Sequence, residues 1–220
     1  MPELIIDTAI AARLPGRTDG EGFPTDEAWE TAPPIWFCAD WQGKNEDRRR
    51  ETNVRLLWTP EFLFLRFDAQ YRNITVFPDA DSNGRRDCLW DRDVCEAFLQ
   101  PDSSDPRSYK EIEVAPNGFW IDLEIVAGEK RDLQSDVRRR VSVDPQIKLW
   151  QADLALPMNS LTNRFDPNEV WRANFFRVEG ASEPRFYSAW RPTLTPQPNF
   201  HVPQAFGALV FTEPASKIRR

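Results

Sequence analysis

Acidic side chains recur at alternating positions in three apolar segments of the chain. Glu96 lies in VCEAFLQ, Glu111 and Glu113 lie in YKEIEV, and Asp122 and Glu124 lie in FWIDLEIV. Because side chains alternate between the two faces of a β-strand, the acids within each segment share a face. A carboxylate on a mostly apolar strand must be paired, hydrogen-bonded or engaged with a ligand. Carboxylates accept hydrogen bonds from hydroxyl groups, and a suitably spaced pair can also hydrolyse glycosidic bonds.

Aromatic and basic residues that could complete such a site occur elsewhere in the chain. Trp90 precedes the Glu96 strand within a charged, loop-like run, and the flat face of a Trp ring can stack on a sugar. Arg172, Asn174 and Phe176 alternate on one face of a later segment, so Arg172 is a candidate cation for the acids. We expect the three acidic segments to contribute to one face. A solvated outer face and a structural salt bridge at Glu96 are the alternative interpretations.

Ten short segments of β-branched and aromatic residues, separated by turn residues, are predicted to be strands. They are Val54–Trp58, Phe62–Phe67, Val94–Gln100, Tyr109–Val114, Phe119–Val126, Val137–Val143, Ile147–Leu156, Val170–Val178, Phe186–Trp190 and Phe206–Phe211. Loops are expected at 13–34 and 40–51, and a single helical turn at Pro157–Leu161. The predicted fold is therefore all-β: an antiparallel β-sandwich of about ten strands with one or two short helical turns.

Length and charge limit the function classes. A chain of 220 residues fits one domain, with a core expected over about residues 30–212. The net charge of −7 disfavours nucleic acid as a partner, and no apolar run approaches the roughly 18 residues of a membrane span. The N-terminal residues Met1–Asp7 lack the pattern of a signal peptide. They predict a cytoplasmic protein unless a signal was removed.

Six segments, in the same order along the chain, resemble the family 9 carbohydrate-binding modules. The densest is Leu89–Leu99, in which Trp90 precedes Glu96 by the family's six-residue step. The second is a Tyr-x-Glu-x-Glu-x-x-Pro-Asn-Gly run from Tyr109 to Gly118. The remaining segments are Phe62–Phe67, Trp171–Arg177, Trp190–Thr193 and Phe200–Phe211. The resemblance extends from about residue 30 to residue 212.

The resemblance implies a β-sandwich of the jelly-roll or DOMON-like type that binds a sugar or the end of a glycan chain without catalysis. Such modules are usually appended to glycoside hydrolases and support carbohydrate catabolism. By similarity, Trp90 and Phe200 hold a sugar ring between them and Glu96 binds a hydroxyl. Glu111 and Glu113 fall where the family has Arg and Asn. Asn174 and Phe176 fall near a further polar contact with the sugar. No cofactor is expected, although the resemblance allows for a structural calcium ion.

Two other functions are consistent with parts of the sequence. A glycoside hydrolase would use two of the carboxylates described above. A haem-binding, electron-transfer domain of the DOMON-like type would need Met158 and His201 as axial ligands, since they are the internal candidates.

Overall fold

The computed structural model describes residues 8–102 and 104–213, and these residues are arranged mostly in β-strands. The strands are β1 (Thr8–Arg13), β2 (Ile35–Phe37), β3 (Thr52–Trp58), β4 (Phe62–Gln70), β5 (Val94–Gln100), β6 (Ser108–Val114), β7 (Trp120–Val126), β8 (Glu129–Asp132), β9 (Arg138–Asp144), β10 (Leu149–Pro157), β11 (Trp171–Glu179), β12 (Phe186–Ala189) and β13 (Gly207–Thr212). The α-helical turns are α1 (Asp26–Trp29) and α2 (Met158–Leu161), and single 3-10 turns lie at Arg48–Arg50, Leu89–Asp91 and Pro203–Ala205.

Each of the ten predicted strands is present, with ends within three residues of those predicted. The prediction missed β1, β2 and β8, so the described part of the chain has thirteen strands rather than about ten. The helical turn α2 is as predicted, whereas α1 lies inside the segment that was predicted to be a loop. Tight turns connect neighbouring strands: Pro60 lies between β3 and β4, and Gly118, at a positive φ of 82°, lies between β6 and β7.

The strands form one continuous curled sheet rather than two separate antiparallel sheets. Its order is β8-β7-β6-β5-β11-β13-β1-β3-β4-β10-β9, with β12 paired to β11 and β2 paired to β3. Strand β1 corrects the antiparallel prediction, because it pairs in parallel with both β13 and β3 and so joins the two halves. Ala9 and Ala11 of β1 are buried, so the core begins well before residue 30.

The curl brings the inner faces of the two halves together around the main core. Phe67 of β4 and Phe175 of β11 illustrate the contact, with ring centroids 6.4 Å apart and nearly perpendicular planes. Cys95, Ala97 and Leu99 of β5 belong to the same cluster. Alternation along β5 therefore points Val94, Glu96 and Phe98 to the opposite, outer face.

Smaller apolar clusters cover the outer faces of both halves. On the β3-β4-β10 half, Leu57 and Phe64 pack against Trp29 of α1. On the β5-β6-β7-β11 half, Phe98 and Phe176 pack in one cluster with Phe200, Phe206 and Leu89, of which Leu89 lies in a 3-10 turn. This second cover surrounds the acidic residues of interest.

Among the described residues, no helix is long and apolar enough to cross a membrane. The signal-peptide expectation rests on Met1–Asp7, which lie outside the described residues.

A buried ion pair joins β4 to β10, and the guanidinium of the same pair also contacts α1. Arg66 of β4 donates to both carboxylate oxygens of Asp153 on β10, at 2.6 and 2.9 Å, and to Asp26 of α1 at 2.8 Å. The side chains of Arg66 and Asp153 are almost wholly buried, whereas that of Asp26 is 85% exposed. Asp153 and Asp26 therefore pair with the same guanidinium, but Asp153 does so in the interior and Asp26 does so at the surface.

This difference predicts unequal stability effects for the two acids. Asp153→Ala should lower the free energy of unfolding by about 3–5 kcal/mol, because it removes the buried partner of a buried charge. Asp26→Ala, the matched control, should cost about 1 kcal/mol or less, because an exposed pair contributes little. Urea unfolding of both variants measures this, and equal losses would contradict the assignment of Asp153 as the principal partner.

Candidate functional site

The register of two neighbouring strands brings three carboxylates together on the outer face of the sheet. Glu96 of β5 lies directly opposite Glu113 of β6, and Phe98 lies opposite Glu111. Directly opposed residues share a face, and their Cβ atoms are about 4.5–5.5 Å apart. One carboxylate oxygen from each of Glu96, Glu111 and Glu113 lies within 4.8 Å of the other two. We call these three residues the carboxylate triad.

Burial and mutual repulsion make the triad electrostatically unusual. Glu96 and Glu111 are 2% exposed and Glu113 is fully buried. Burial raises the pKa of Glu96 well above its usual range, and the charge of Glu111 raises it further. Burial likewise raises the pKa of Glu113, with further increases from the charges of Glu96 and Glu111. The triad therefore resists carrying three negative charges at once.

A cavity of about 200 Å³ opens above the triad. Glu96 and Glu111 line its floor, and aromatic residues that include Trp90 and Phe200 form its walls. Trp90 is half-buried in the 3-10 turn at Leu89–Asp91. Phe200 stacks on Phe176, with ring centroids 4.2 Å apart and planes inclined by 13°. The cavity is smaller than the roughly 300 Å³ of a drug-sized site, so it suits a single small ring.

Two basic residues that the sequence motifs did not indicate, Lys130 and Arg185, complete the cavity walls. The ammonium nitrogen of Lys130 on β8 lies 3.7 Å from Glu111 Oε1 and 4.0 Å from the centroid of the Trp90 ring. Arg185 donates to the backbone carbonyl of Trp90 at 2.8 Å and so anchors the turn that carries the indole. Both lower the pKa of Glu96 and oppose the effect of its burial. The Glu-Lys-Arg-Asp sequence of β8 has no apolar alternation, so no strand signal directed attention to Lys130.

The third acidic segment does not contribute to the triad. Asp122 of β7 lies opposite Ile112 of β6, which faces the main core, so Asp122 is on the other face of the sheet. Its carboxylate accepts from the backbone nitrogen of Ser135 at 2.6 Å. Glu124 is on the same face as Asp122 and forms an ion pair with Lys110. The expectation that acids from all three segments share one face is therefore wrong for β7.

The face of β11 that was predicted to carry polar contacts is covered. Asn174 is fully buried, its amide donates to the carbonyl of Arg191, and its side-chain oxygen accepts from the backbone nitrogens of Phe175 and Arg191. Phe176 is fully buried beneath Phe200. Neither Asn174 nor Phe176 lines the cavity above the triad. Arg172 does not pair with the triad but donates to the carbonyl of Phe206 at 2.8 Å, so Lys130 takes the role expected of Arg172.

The two residues considered as haem ligands face different parts of the molecule. Met158 is buried in the main core between the two halves of the sheet. His201 lies at the outer cavity, where its Nδ1 is 2.8 Å from the hydroxyl of Tyr109. The two side chains therefore do not face a common site that could hold a haem iron.

Comparisons with known proteins agree with this architecture. No family model matches the chain. A protein of Arthroderma benhamiae described only as an extracellular protein is 23% identical over an alignment of 178 positions that covers 73% of this chain and 78% of that protein. A Bacteroides uniformis crystal structure, provisionally described as a carbohydrate-binding protein, has a TM-score of 0.72 at 15% identity and covers 93% of this chain and 99% of its own.

Two further structures are family 9 carbohydrate-binding modules from Caldicellulosiruptor kristjanssonii. One, in complex with cellotriose, has a TM-score of 0.62 at 12% identity and covers 96% of both chains. This chain has the fold of a family 9 carbohydrate-binding module. The other, in complex with glucose, has a TM-score of 0.62 at 13% identity and covers 97% of this chain and 100% of its own. The likeness to a family 9 module, which the sequence motifs indicated, therefore holds at the level of the fold.

The raised pKa values of the triad predict a pH-dependent effect of Glu113→Gln. A carboxyl whose pKa is raised by folding stabilises the protein below its unfolded pKa of about 4.3, and this stabilisation is lost as the pH rises through the folded pKa. The amide of Gln carries no charge at any of these pH values. In a buffer with EDTA, which removes divalent cations, the variant should therefore melt at a higher temperature than the wild type at pH 8. This increase in melting temperature should be smaller at pH 5.

Thermal melts of the wild type and Glu113→Gln at both pH values test this. Glu61→Gln, which removes an exposed carboxylate from the turn between β3 and β4, is the matched control and should show no such dependence. A gain that is the same at both pH values, or larger at pH 5, would contradict the electrostatic account.

Proposed function

We propose that the chain binds a sugar unit in the cavity above the carboxylate triad. The observation that carries the proposal is the combination of an accessible indole, Trp90, with buried carboxylate acceptors on the cavity floor. The two Caldicellulosiruptor kristjanssonii modules that share the fold bind cellotriose and glucose. By the same likeness, the role we propose is support of carbohydrate catabolism alongside glycoside hydrolases.

Stacking on Trp90 would supply the apolar part of recognition. The ring of a pyranose has an apolar face of C–H groups, which packs against the flat face of an indole. Lys130 lies over the Trp90 ring, so a sugar that stacks on the same face must displace the ammonium group. Phe200 offers a second apolar wall, although its other face is already stacked on Phe176. Each aromatic contact is worth about 0.5–1.5 kcal/mol beyond the burial of its area.

Hydrogen bonds to the floor would supply the polar part. Glu96 and Glu111 line the cavity, and a carboxylate accepts from sugar hydroxyls in bonds worth about 1.5–3 kcal/mol each, while a protonated Glu96 could also donate one hydrogen bond. Glu113 lies deeper, so it acts through its neighbours rather than by direct contact. The floor thus presents mainly acceptors, and it favours a ligand that is rich in hydrogen-bond donors.

The placement of the acids on one side of the cavity favours binding over hydrolysis. Retaining glycosidases place their two carboxyl groups about 5–5.5 Å apart and inverting enzymes about 6.5–9.5 Å apart, on either side of the scissile bond. One oxygen from each triad carboxylate lies within 4.8 Å of the other two, so the three acids lie together on the floor rather than on either side of a bound sugar, and Asp122 and Glu124 face away. We therefore propose that the chain recognises a sugar without cleaving it.

Trp90→Ala should weaken sugar binding by about tenfold or more, because it removes the stacking surface. The melting temperature should change little, because the indole is only half-buried. A glycan array that includes glucose and cellotriose identifies the ligand, and calorimetric titration then compares the variants. Trp36→Ala is the matched control, since Trp36 is 54% exposed and does not line the cavity.

Retention of sugar binding by Trp90→Ala, or an array on which the wild type binds no glycan, would contradict the proposed function. A variant that fails to fold would show that Trp90 is a structural residue rather than a binding surface.

A further inference from the structure

We propose that Glu96, Glu111 and Glu113 together bind one Ca²⁺ ion on the floor of the cavity. The proposal goes beyond sugar binding, and it stands on the geometry and the hydrogen bonding of the triad alone. The ion would lie between β5 and β6, with its open side toward the cavity.

The spacing of the oxygens fits a single ion. One oxygen from each carboxylate lies within 4.8 Å of the other two. Calcium binds oxygens at 2.3–2.6 Å, so ligands on opposite sides of the ion are about 4.6–5.2 Å apart. All three oxygens can therefore contact one Ca²⁺ ion with little movement. A ligand set made only of carboxylate oxygens also favours a hard cation over zinc or copper.

Several triad oxygens have no hydrogen-bond partner although they are buried. Both carboxylate oxygens of Glu113 and Oε2 of Glu111 receive no donor from outside the triad, and the Glu111 and Glu113 carboxyls can hydrogen-bond to each other only through a shared proton. A buried polar atom is normally satisfied, and one that is not satisfied costs about 1–3 kcal/mol, or more if charged. The fully buried Glu113 points at the other two acids rather than at solvent. An ion at the centre of the triad would satisfy these oxygens.

The charges around the triad also leave room for a divalent cation. Lys130 approaches one oxygen of Glu111 at 3.7 Å, and its side chain is 38% exposed. The Arg185 guanidinium is held by the carbonyl of Trp90 and by Glu183, which lies outside the triad. One half-exposed ammonium is a weak match for three buried carboxylates, whereas Ca²⁺ would neutralise two of their charges. Waters on the cavity side would complete the six to eight ligands that calcium prefers.

The test uses the full chain, first stripped with EDTA and studied without sugar. Calorimetric titration with CaCl₂ should show one site with a dissociation constant below about 1 mM. Tb³⁺, a luminescent substitute, should emit on excitation of tryptophan, because Trp90 lines the same cavity. Glu113→Gln should weaken Ca²⁺ binding at least about tenfold, whereas Glu61→Gln should leave it unchanged.

A second variant changes the affinity in the opposite direction, which misfolding could not do. Lys130→Met removes the ammonium that competes for Glu111, so Ca²⁺ should bind more tightly than to the wild type. No saturable Ca²⁺ binding by the wild type at millimolar concentration, or equal binding by Glu113→Gln, would overturn the proposal. Because no sugar is present, its failure would leave the sugar-binding proposal standing, and the reverse also holds.

Discussion

The pairing register of β5 with β6 is the constraint on which the site depends. It places Glu96 opposite Glu113 and Phe98 opposite Glu111, all on the outer face. A slip of one residue would turn each of these side chains to the other face and put the acids into the main core. The apolar residues Cys95, Ala97 and Leu99 prevent this slip, because they fill the core only in the observed register. The packing of the core thus keeps the three carboxylates of the triad close together, although their charges repel one another.

Placing three buried carboxylates close together costs electrostatic free energy, and the packing and pairing of the surrounding strands offset this cost. Both strands that carry the triad have a neighbour on each side. Strand β5 pairs with β11 and β6, and strand β6 pairs with β5 and β7. Their inner faces pack against the opposite half of the curled sheet. The outer face is closed by loop aromatics rather than by a second sheet, and the gap between these aromatics is the cavity. A stable scaffold therefore supports a strained electrostatic arrangement at a position that a ligand can reach.

Much of this was predictable from alternation along single strands. The ten predicted strands are present, and the grouping of Glu111 with Glu113 on one face of β6 follows from spacing alone. Alternation does not state which face of one strand meets which face of the next, so Asp122 was assigned to the wrong side of β7. It also does not distinguish a residue that lines a cavity from one beneath it, as with Phe176 under Phe200. Strand β1 was missed because its sequence, TAIAAR, is half alanine and has few of the β-branched and aromatic residues from which the strands were predicted.

Contact between a sugar and Trp90 above the carboxylate triad can be observed in the side-chain N–H signals of the nine tryptophans. These signals are followed by two-dimensional ¹⁵N–¹H spectroscopy while a panel of soluble mono- and oligosaccharides is titrated into the protein. A sugar bound in the cavity should shift the Trp90 signal most, while the signal of exposed Trp36 stays in place. If saturating sugar leaves the Trp90 signal unmoved, or shifts the Trp36 signal instead, the sugar does not bind above the carboxylate triad.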